Sequence, residues 1–229
     1  MHYQFMNKYY LIIGLVVIIV LSAIFLYKQN RELFNSFDFD EIVSVKNADD
    51  QGNYELILGI KRTDSVNKAI YVLRDSKAKN SIYDVLQVDN KFYGAPTQRI
   101  VKTDKGDFLV VRHLNSKGTG LLQYDETWYS TTFNFRKVLE YPSDGHNFFT
   151  SYNDGLKFKS STAITDNGVD VIYDFEYYSR DNSNKLIGTA HKKASFIWDK
   201  DNWLLNQDET KSEITASELE RILVYKVIE

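Results

Sequence analysis

One stretch near the start of the chain limits its fold more than any other, the apolar run YYLIIGLVVIIVLSAIFLYK from Tyr9 to Lys28. Residues 11–26 of this run carry no charge. As an α-helix, residues 9–27 would extend roughly 28 Å, close to the thickness of about 30 Å of a bilayer's hydrocarbon core. Tyrosines and lysines at both ends are typical of the interface between membrane and water. The run therefore predicts a transmembrane helix.

A cleaved signal peptide is the alternative interpretation of the same run. Cleavage needs small residues before the cut, and the best candidate cut follows Ala23. Leu21, three residues from that cut, is bulky, and the apolar run continues past the cut to Tyr27. The chain has no cysteine, which excludes lipoprotein processing. The sequence therefore predicts an uncleaved signal anchor.

The orientation of this anchor follows from weaker signals. Lys8 precedes the run, while Lys28 and Arg31 follow it, so the positive-inside rule is nearly balanced. A short N-terminal tail before a large C-terminal domain is the usual layout of a bacterial signal anchor. We therefore expect a single-pass protein of the cell membrane whose C-terminal domain lies outside the cytoplasm. A membrane-tethered domain that faces the cytoplasm is the alternative.

The predicted domain organisation has four parts. Residues 1–8 form an N-terminal tail, 9–27 the transmembrane signal anchor, 28–40 a juxtamembrane stalk and 41–229 a β-rich extracytoplasmic domain. A weak repeat of Asp-x-Gly turns, at Asp104 and again at Asp166, suggests two sub-units, 41–143 and 144–229. Turn chemistry alone often produces such turns, so a single unit is the preferred interpretation and two sub-units are the alternative.

Composition favours strands and excludes one class of partner. The net charge is −3, which gives no basic surface for nucleic acid. Aromatic residues make up 14% of the chain and prolines number only two, a balance that favours strands. The predicted fold class is α+β, mainly antiparallel β, with an N-terminal single transmembrane helix and a short C-terminal helix.

Local patterns predict most of the strands. Residues 55–62, 69–75 and 121–133 have strand-like composition, and residues 100–114 contain two strands around a turn at 103–106. Residues 81–88 fit either a strand or a helix. The segment formed by residues 135–141 is predicted to end at Pro142, and residues 143–145 are predicted to form a turn.

The clearest pattern is the alternation of VDVIYDFEYY, residues 169–178, which predicts a strand with one face in the core and one in water. Residues 191–198 are predicted to pair with it as an antiparallel hairpin. A symmetric loop would place Asp174 opposite residues 192–193, and Glu176 near His191. The capping box at residues 215–218 predicts the C-terminal helix.

Several chemistries are excluded or lack a motif. Without cysteine there is no thiol nucleophile. The four histidines, at positions 2, 113, 146 and 191, have no metal-motif spacing, and neither a phosphate-binding glycine loop nor a Gly-x-Ser-x-Gly elbow is present. Residues 143–146 and 199–202 are interpreted as turns, not as a catalytic triad or a calcium loop. We therefore predict no catalytic residue, no cofactor and no metal ligand.

The candidate ligand-binding residues are carboxylates, a histidine and aromatic rings. Carboxylates two residues apart on a strand are separated by roughly 6.6 Å, within the range that glycosidases use, although such residues usually form a solvated face. Exposed aromatic rings can stack on sugars, although this chain also needs many for its core. The candidates are Trp128, Tyr129, Asp174, Glu176, His191 and Trp203.

These observations predict a single-pass membrane-anchored bacterial envelope protein whose β-rich domain is a non-catalytic binding or assembly module. Its expected partners are the lipid bilayer, through residues 9–27, and a protein or envelope polymer. Nucleic acid is not expected. The alternative is a carboxylate-dependent envelope hydrolase that acts on glycans.

Overall fold

The computed structural model describes residues 16–18, 20, 39–48, 51–62, 67–78, 81–90, 96–131, 134–148, 155–179, 185–199 and 204–223. Across these ranges the chain forms two antiparallel sheets, which together contain twelve strands. A short helix follows the last strand.

The predicted fold class needs correction, since the described part of the chain is mainly antiparallel β with two short helices. A membrane-spanning helix requires about 20 consecutive apolar residues. No helix among the described residues is long and apolar enough for that. Of the predicted segment 9–27, only 16–18 and 20 are described; they are helical, with exposed side chains. The rest of that segment, the tail 1–8 and residues 28–38 of the stalk lie outside the described residues.

The first four strands form the small sheet, in which each strand pairs with its neighbours in sequence. They are β1 (Glu41–Asn47), β2 (Tyr54–Arg62), β3 (Asn67–Asp75) and β4 (Ile82–Asn90). The strands predicted at 55–62 and 69–75 are confirmed as β2 and β3. The ambiguous segment 81–88 forms β4, where its branched and aromatic residues suit a sheet.

The remaining strands form the large sheet, which also runs in sequence order from β5 to β12. They are β5 (Thr97–Thr103), β6 (Gly106–Gly118), β7 (Leu121–Ser130), β8 (Arg136–Asn147), β9 (Gly155–Thr165), β10 (Gly168–Ser179), β11 (Lys185–Trp198) and β12 (Leu205–Gln207). The two sheets divide the chain between β4 and β5, while β8 crosses the suggested sub-unit boundary at 143/144.

The turn predicted after Pro142 is wrong, because β8 continues through it to Asn147. Pro142 pairs with Asp125 where the register between β7 and β8 shifts, and such irregular positions tolerate proline. Gly145 permits a close approach: a Cβ atom there would lie 2.5 Å from the Leu122 carbonyl oxygen and 3.0 Å from the Phe158 ring. Its glycine is needed for packing and not for a turn.

Strand β6 is buried on both faces and joins the two sheets. Phe108 and Val110 belong to the core on one face of the large sheet. Leu109 and Val111, on the other face, pack against small-sheet residues that include Tyr71. This double burial explains the uninterrupted apolar run in β6.

The amphipathic strand predicted at 169–178 is confirmed as β10. Its apolar face is buried and consists of Val169, Val171, Tyr173, Phe175 and Tyr177. The C-terminal helix (Ala216–Glu220) begins with the predicted capping box between Thr215 and Glu218. Leu219 and Ile222 contribute to the same core as β10.

Candidate functional site

The solvent-facing side of β9, β10 and β11, here called the polar face, carries three of the predicted binding residues. Asp174 pairs with His191 across β10 and β11, and Asp174 Oδ1 lies 2.8 Å from His191 Nδ1. Both side chains are about two-thirds exposed, at 71% and 66%. The predicted register was wrong by up to two residues. Ile187 has no partner in the pairing, whose register shifts between Tyr177 and Tyr178.

Glu176 lies on the polar face opposite Thr189. Its Oε2 accepts hydrogen bonds from the Tyr178 hydroxyl, at 2.6 Å, and from Lys157 Nζ, at 3.1 Å. These two bonds lower the pKa of Glu176. The carboxylate is therefore ionised and paired at neutral pH, which suits a surface contact better than a proton donor.

Along much of one edge of the large sheet, no neighbouring strand lies among the described residues. Strand β12 pairs only with residues 196–198 of β11. The segment that follows β12 covers the next part of the edge, where Asp208 and Glu213 donate backbone N–H groups to the carbonyls of Ser195 and Lys193. Among the described residues, no backbone group bonds to the outer edge of residues 185–192. We call this stretch the free edge.

The alternating direction of backbone groups along a strand identifies which N–H and C=O groups of the free edge point away from the sheet. The backbone N–H and C=O groups of Lys193 and Ser195 point outward, towards residues 208–213. Alternate residues of a strand point the same way, so those of Thr189 and His191 also point outward. Each contributes one donor and one acceptor in the spacing that an added strand requires.

The side chains along the free edge combine apolar and basic groups. Leu186 and Ile187 are each 48% exposed. Lys185 is exposed and Lys192 is half-buried, and neither forms an ion pair with a described residue. Lys193, by contrast, lies 3.5 Å from Asp170. The edge therefore carries positive charge that its own sheet does not fully compensate.

Two of the three aromatic candidates, Trp128 and Tyr129, are described, and neither lies on an exposed surface. Trp128 is fully buried in the core of the large sheet. Tyr129 is half-buried against the core between the sheets. Trp203 lies outside the described residues. Neither Trp128 nor Tyr129 therefore offers an open ring face on which a sugar can stack.

A second group of polar side chains lies on the face of the large sheet that packs on the small one. The three residues are His113 on β6, Asp125 on β7 and Glu140 on β8, here called the histidine–carboxylate cluster. Their potential ligand atoms all lie within 4.8 Å of one another. Asp125 is buried, His113 is half-buried and Glu140 is exposed. The cluster thus reaches from the protein interior to solvent.

Hydrogen bonds fix both carboxylates of this cluster. Asp125 accepts from Asn115 Nδ2, at 2.5 Å, and from Gln123 Nε2, at 2.7 Å. Burial raises its pKa, although these amide bonds act in the opposite direction. Partial burial acts to raise the pKa of Glu140 too, but the hydrogen bond and charge of Lys137 outweigh it and lower the pKa.

Sequence spacing could not reveal the histidine–carboxylate cluster, because its members come from three strands. His113 lies opposite Asp125, and Glu140 lies opposite Thr127, the next residue of β7 on the same face. Only the order and register of the strands bring them together. The available signal was the alternation of β6, which places His113 on the same face as Leu109 and Val111.

Comparison of the chain with protein-family models, with curated proteins and with solved structures finds no match. No relative therefore suggests a function for either group of residues. The geometry and charge of the free edge and of the histidine–carboxylate cluster carry the functional argument.

Proposed function

We propose that the β-rich domain is a non-catalytic binding module that takes an extended, acidic segment of another polypeptide as an additional strand along the free edge. The observation that carries this proposal is that no described strand or backbone group pairs with the outer edge of residues 185–192. Strand addition supplies affinity through main-chain hydrogen bonds, and side-chain contacts supply specificity. Thr189 and His191 provide the main-chain groups, and Leu186 and Ile187 provide apolar contacts.

Charge identifies the kind of segment that fits. Lys185 and Lys192 flank the outward-pointing groups and have no ion-pair partner among the described residues. Pairing of two copies along the free edge would bring Lys185 and Lys192 of both copies into one interface, which is unfavourable because like charges repel. An acidic segment instead places opposite charges there. The edge therefore favours an acidic partner over self-association.

The alternative of a carboxylate-dependent hydrolase has less support. A glycosidase of this kind needs one protonated carboxylic acid and one carboxylate around the scissile bond. Asp174 and Glu176 both have basic partners, and the pKa of Glu176 is lowered. They stand on a solvent-exposed sheet face. This arrangement is typical of surface ion pairs.

Membrane attachment remains a prediction of the sequence. Neither the bilayer contact through residues 9–27 nor the localisation at the bacterial cell membrane is tested by the described residues. The orientation of the domain, outside the cytoplasm or facing it, is equally untested. The strand-addition proposal holds for either orientation, because it depends only on β10 and β11.

Selection from a random peptide library tests the proposal directly. Peptides of about a dozen residues that bind the 229-residue chain should be acidic and should slow amide hydrogen exchange at Thr189 and His191. Thr189→Pro removes an outward N–H without breaking the β10–β11 ladder, so it should abolish binding. Thr189→Ala keeps that N–H and should bind normally.

Two results would contradict the proposal. Selected peptides that bind Thr189→Pro as tightly as the wild type would place the binding surface elsewhere. Selection of neutral or basic peptides would show that Lys185 and Lys192 do not favour an acidic segment. Circular dichroism of each variant checks that the sheet is intact.

A further inference from the structure

The register of three neighbouring strands places one imidazole and two carboxylates at a single point of the large sheet. His113 and Asp125 are direct cross-strand partners. Glu140 pairs with Thr127, which stands two residues from Asp125 on the same face. One potential ligand atom from each residue lies within 4.8 Å of the others. The backbone thus holds the three side chains on rigid strands and not on loops.

His113 has a ring nitrogen that its surroundings do not satisfy. Its Nδ1 atom is buried and has no hydrogen-bond partner among the described residues. Buried polar atoms are nearly always paired, so an unpaired one calls for an explanation. A bound cation beside the two carboxylates would provide the missing partner.

Asp125, like His113, lacks a partner that its chemistry calls for, in this case a described lysine or arginine. Its carboxylate is buried, with 8% of the residue exposed, and among the described residues it accepts hydrogen bonds only from the neutral amides of Asn115 and Gln123. No described lysine or arginine forms an ion pair with it. A buried carboxylate without a cationic partner is costly, and a metal ion is one of the few partners that compensate it.

We propose that His113, Asp125 and Glu140 bind a divalent transition-metal ion of the zinc type. One imidazole nitrogen and two carboxylate oxygens form a donor set that zinc and its neighbours accept, whereas calcium and magnesium prefer oxygen ligands alone. Three protein ligands leave a further position open on the exposed Glu140 side. The site is separate from the free edge and does not depend on the proposed function.

Neighbouring side chains already orient the ligands as metal sites require. Asn115 and Gln123 hold the two oxygens of Asp125, while Thr127 and Lys137 donate to Glu140, at 3.2 Å and 2.8 Å. Such outer partners position ligating side chains and raise metal affinity. Ligand atoms around a tetrahedral zinc ion are about 3.4 Å apart, so side-chain movements of about 1 Å complete the site.

Calorimetric titration of the 229-residue chain with zinc chloride tests this proposal. The wild type should bind one zinc ion per chain and should bind it more weakly as the pH falls, since protons compete with a metal ion for its ligand atoms. Cobalt in place of zinc should give the visible absorption of a low-coordinate site. His113→Gln and Glu140→Gln should each weaken zinc binding by about 100-fold or more. Glu140 is exposed, so its variant should fold normally.

His191→Gln is the matched control, because His191 also lies beside a carboxylate but on the polar face. This variant should bind zinc like the wild type. Equal affinity in wild type, His113→Gln and Glu140→Gln would overturn the proposal, as would loss of binding in His191→Gln alone. Absence of zinc binding in the wild type would also overturn it.

Discussion

At the scale of single residues, buried tyrosine hydroxyls fall into two classes. Tyr71 is fully buried between the sheets, and its hydroxyl has no hydrogen-bond partner among the described residues. Tyr141 is equally buried, but its hydroxyl donates to Glu126 Oε2 at 2.5 Å. Burial raises the pKa of both hydroxyls far above the usual value. Both remain neutral, so their contributions to stability differ through hydrogen bonding alone.

Replacing each of these tyrosines by phenylalanine should give opposite results. Tyr71→Phe removes an unsatisfied polar atom and should leave the free energy of unfolding unchanged or raise it by about 1 kcal/mol. Tyr141→Phe removes a bond to a carboxylate and should lower it by about 1.5–3 kcal/mol. Urea denaturation measures both. Equal destabilisation would mean that the Tyr71 hydroxyl has a partner.

The two carboxylates of the histidine–carboxylate cluster should have pKa values that are shifted in opposite directions. Asp125 should titrate above 3.8, because burial raises its pKa. Glu140 should titrate below 4.5, because Lys137 outweighs the effect of its partial burial. Carboxyl carbon shifts in metal-free protein measure both midpoints. A lowered pKa for Asp125 or a raised pKa for Glu140 would contradict the geometry assigned to the cluster.

These two shifts have opposite effects on stability. Glu140, whose folded pKa is lowered, stabilises the fold above its unfolded pKa, and that contribution disappears as the pH falls through the folded value. Asp125, whose folded pKa is raised, destabilises the fold at neutral pH. That penalty is relieved as the pH falls through its raised pKa towards the unfolded value.

At the scale of strands, Gly168 fixes how β10 begins. It pairs with Ile197 on β11, and a Cβ atom there would lie 1.8 Å from the carbonyl oxygen of Phe196. The obstruction is backbone, which cannot rotate away as a side chain can. Gly118, at the end of β6, offers a contrast: a Cβ atom there would meet only Leu121 Cβ, at 3.8 Å.

Replacing each of these two glycines by alanine should have different effects on the free energy of unfolding. Gly168→Ala should lower the free energy of unfolding by about 3 kcal/mol or more, because the β10–β11 ladder must shift. Gly118→Ala should be neutral or stabilise by up to about 1 kcal/mol, through a less flexible unfolded chain. Thermal denaturation compares them. A neutral Gly168→Ala would mean that β10 and β11 lie further apart than described.

Strands were predictable where the pattern is local. The alternation of residues 169–178 identified β10 and its buried face, and the capping box identified the C-terminal helix. Features that depend on neighbouring strands were not predictable. Pro142 and Gly145 resemble turn residues, yet a register shift and close packing retain them in β8. His113 has no neighbouring metal ligand in sequence, yet two strands bring carboxylates to it.

At the scale of the whole molecule, the core between the sheets makes them depend on each other. Leu109, from the large sheet, is fully buried against residues of the small sheet that include Leu58 and Tyr71. Without this contact each sheet would expose an apolar face to water. We therefore expect the two sheets to unfold as one cooperative unit.

Leu109→Ala tests that dependence. The cavity should lower the free energy of unfolding by about 2–5 kcal/mol. Slow-exchanging amides of β3, in the small sheet, and of β10, in the large sheet, should then exchange faster by the same factor. Leu186→Ala, on the free edge, should change neither. Faster exchange in β3 alone would show that the small sheet opens independently.

The order of the strands has a consequence for how the chain reaches its fold. In both sheets every strand pairs with its neighbours in sequence. The pairings are therefore short-range for an all-β protein, and the entropy lost in closing each loop is small. Low contact order is associated with fast folding. Each new hairpin can add to an edge that already exists, so the sheets can grow from the N-terminal side while the ribosome is still completing β12.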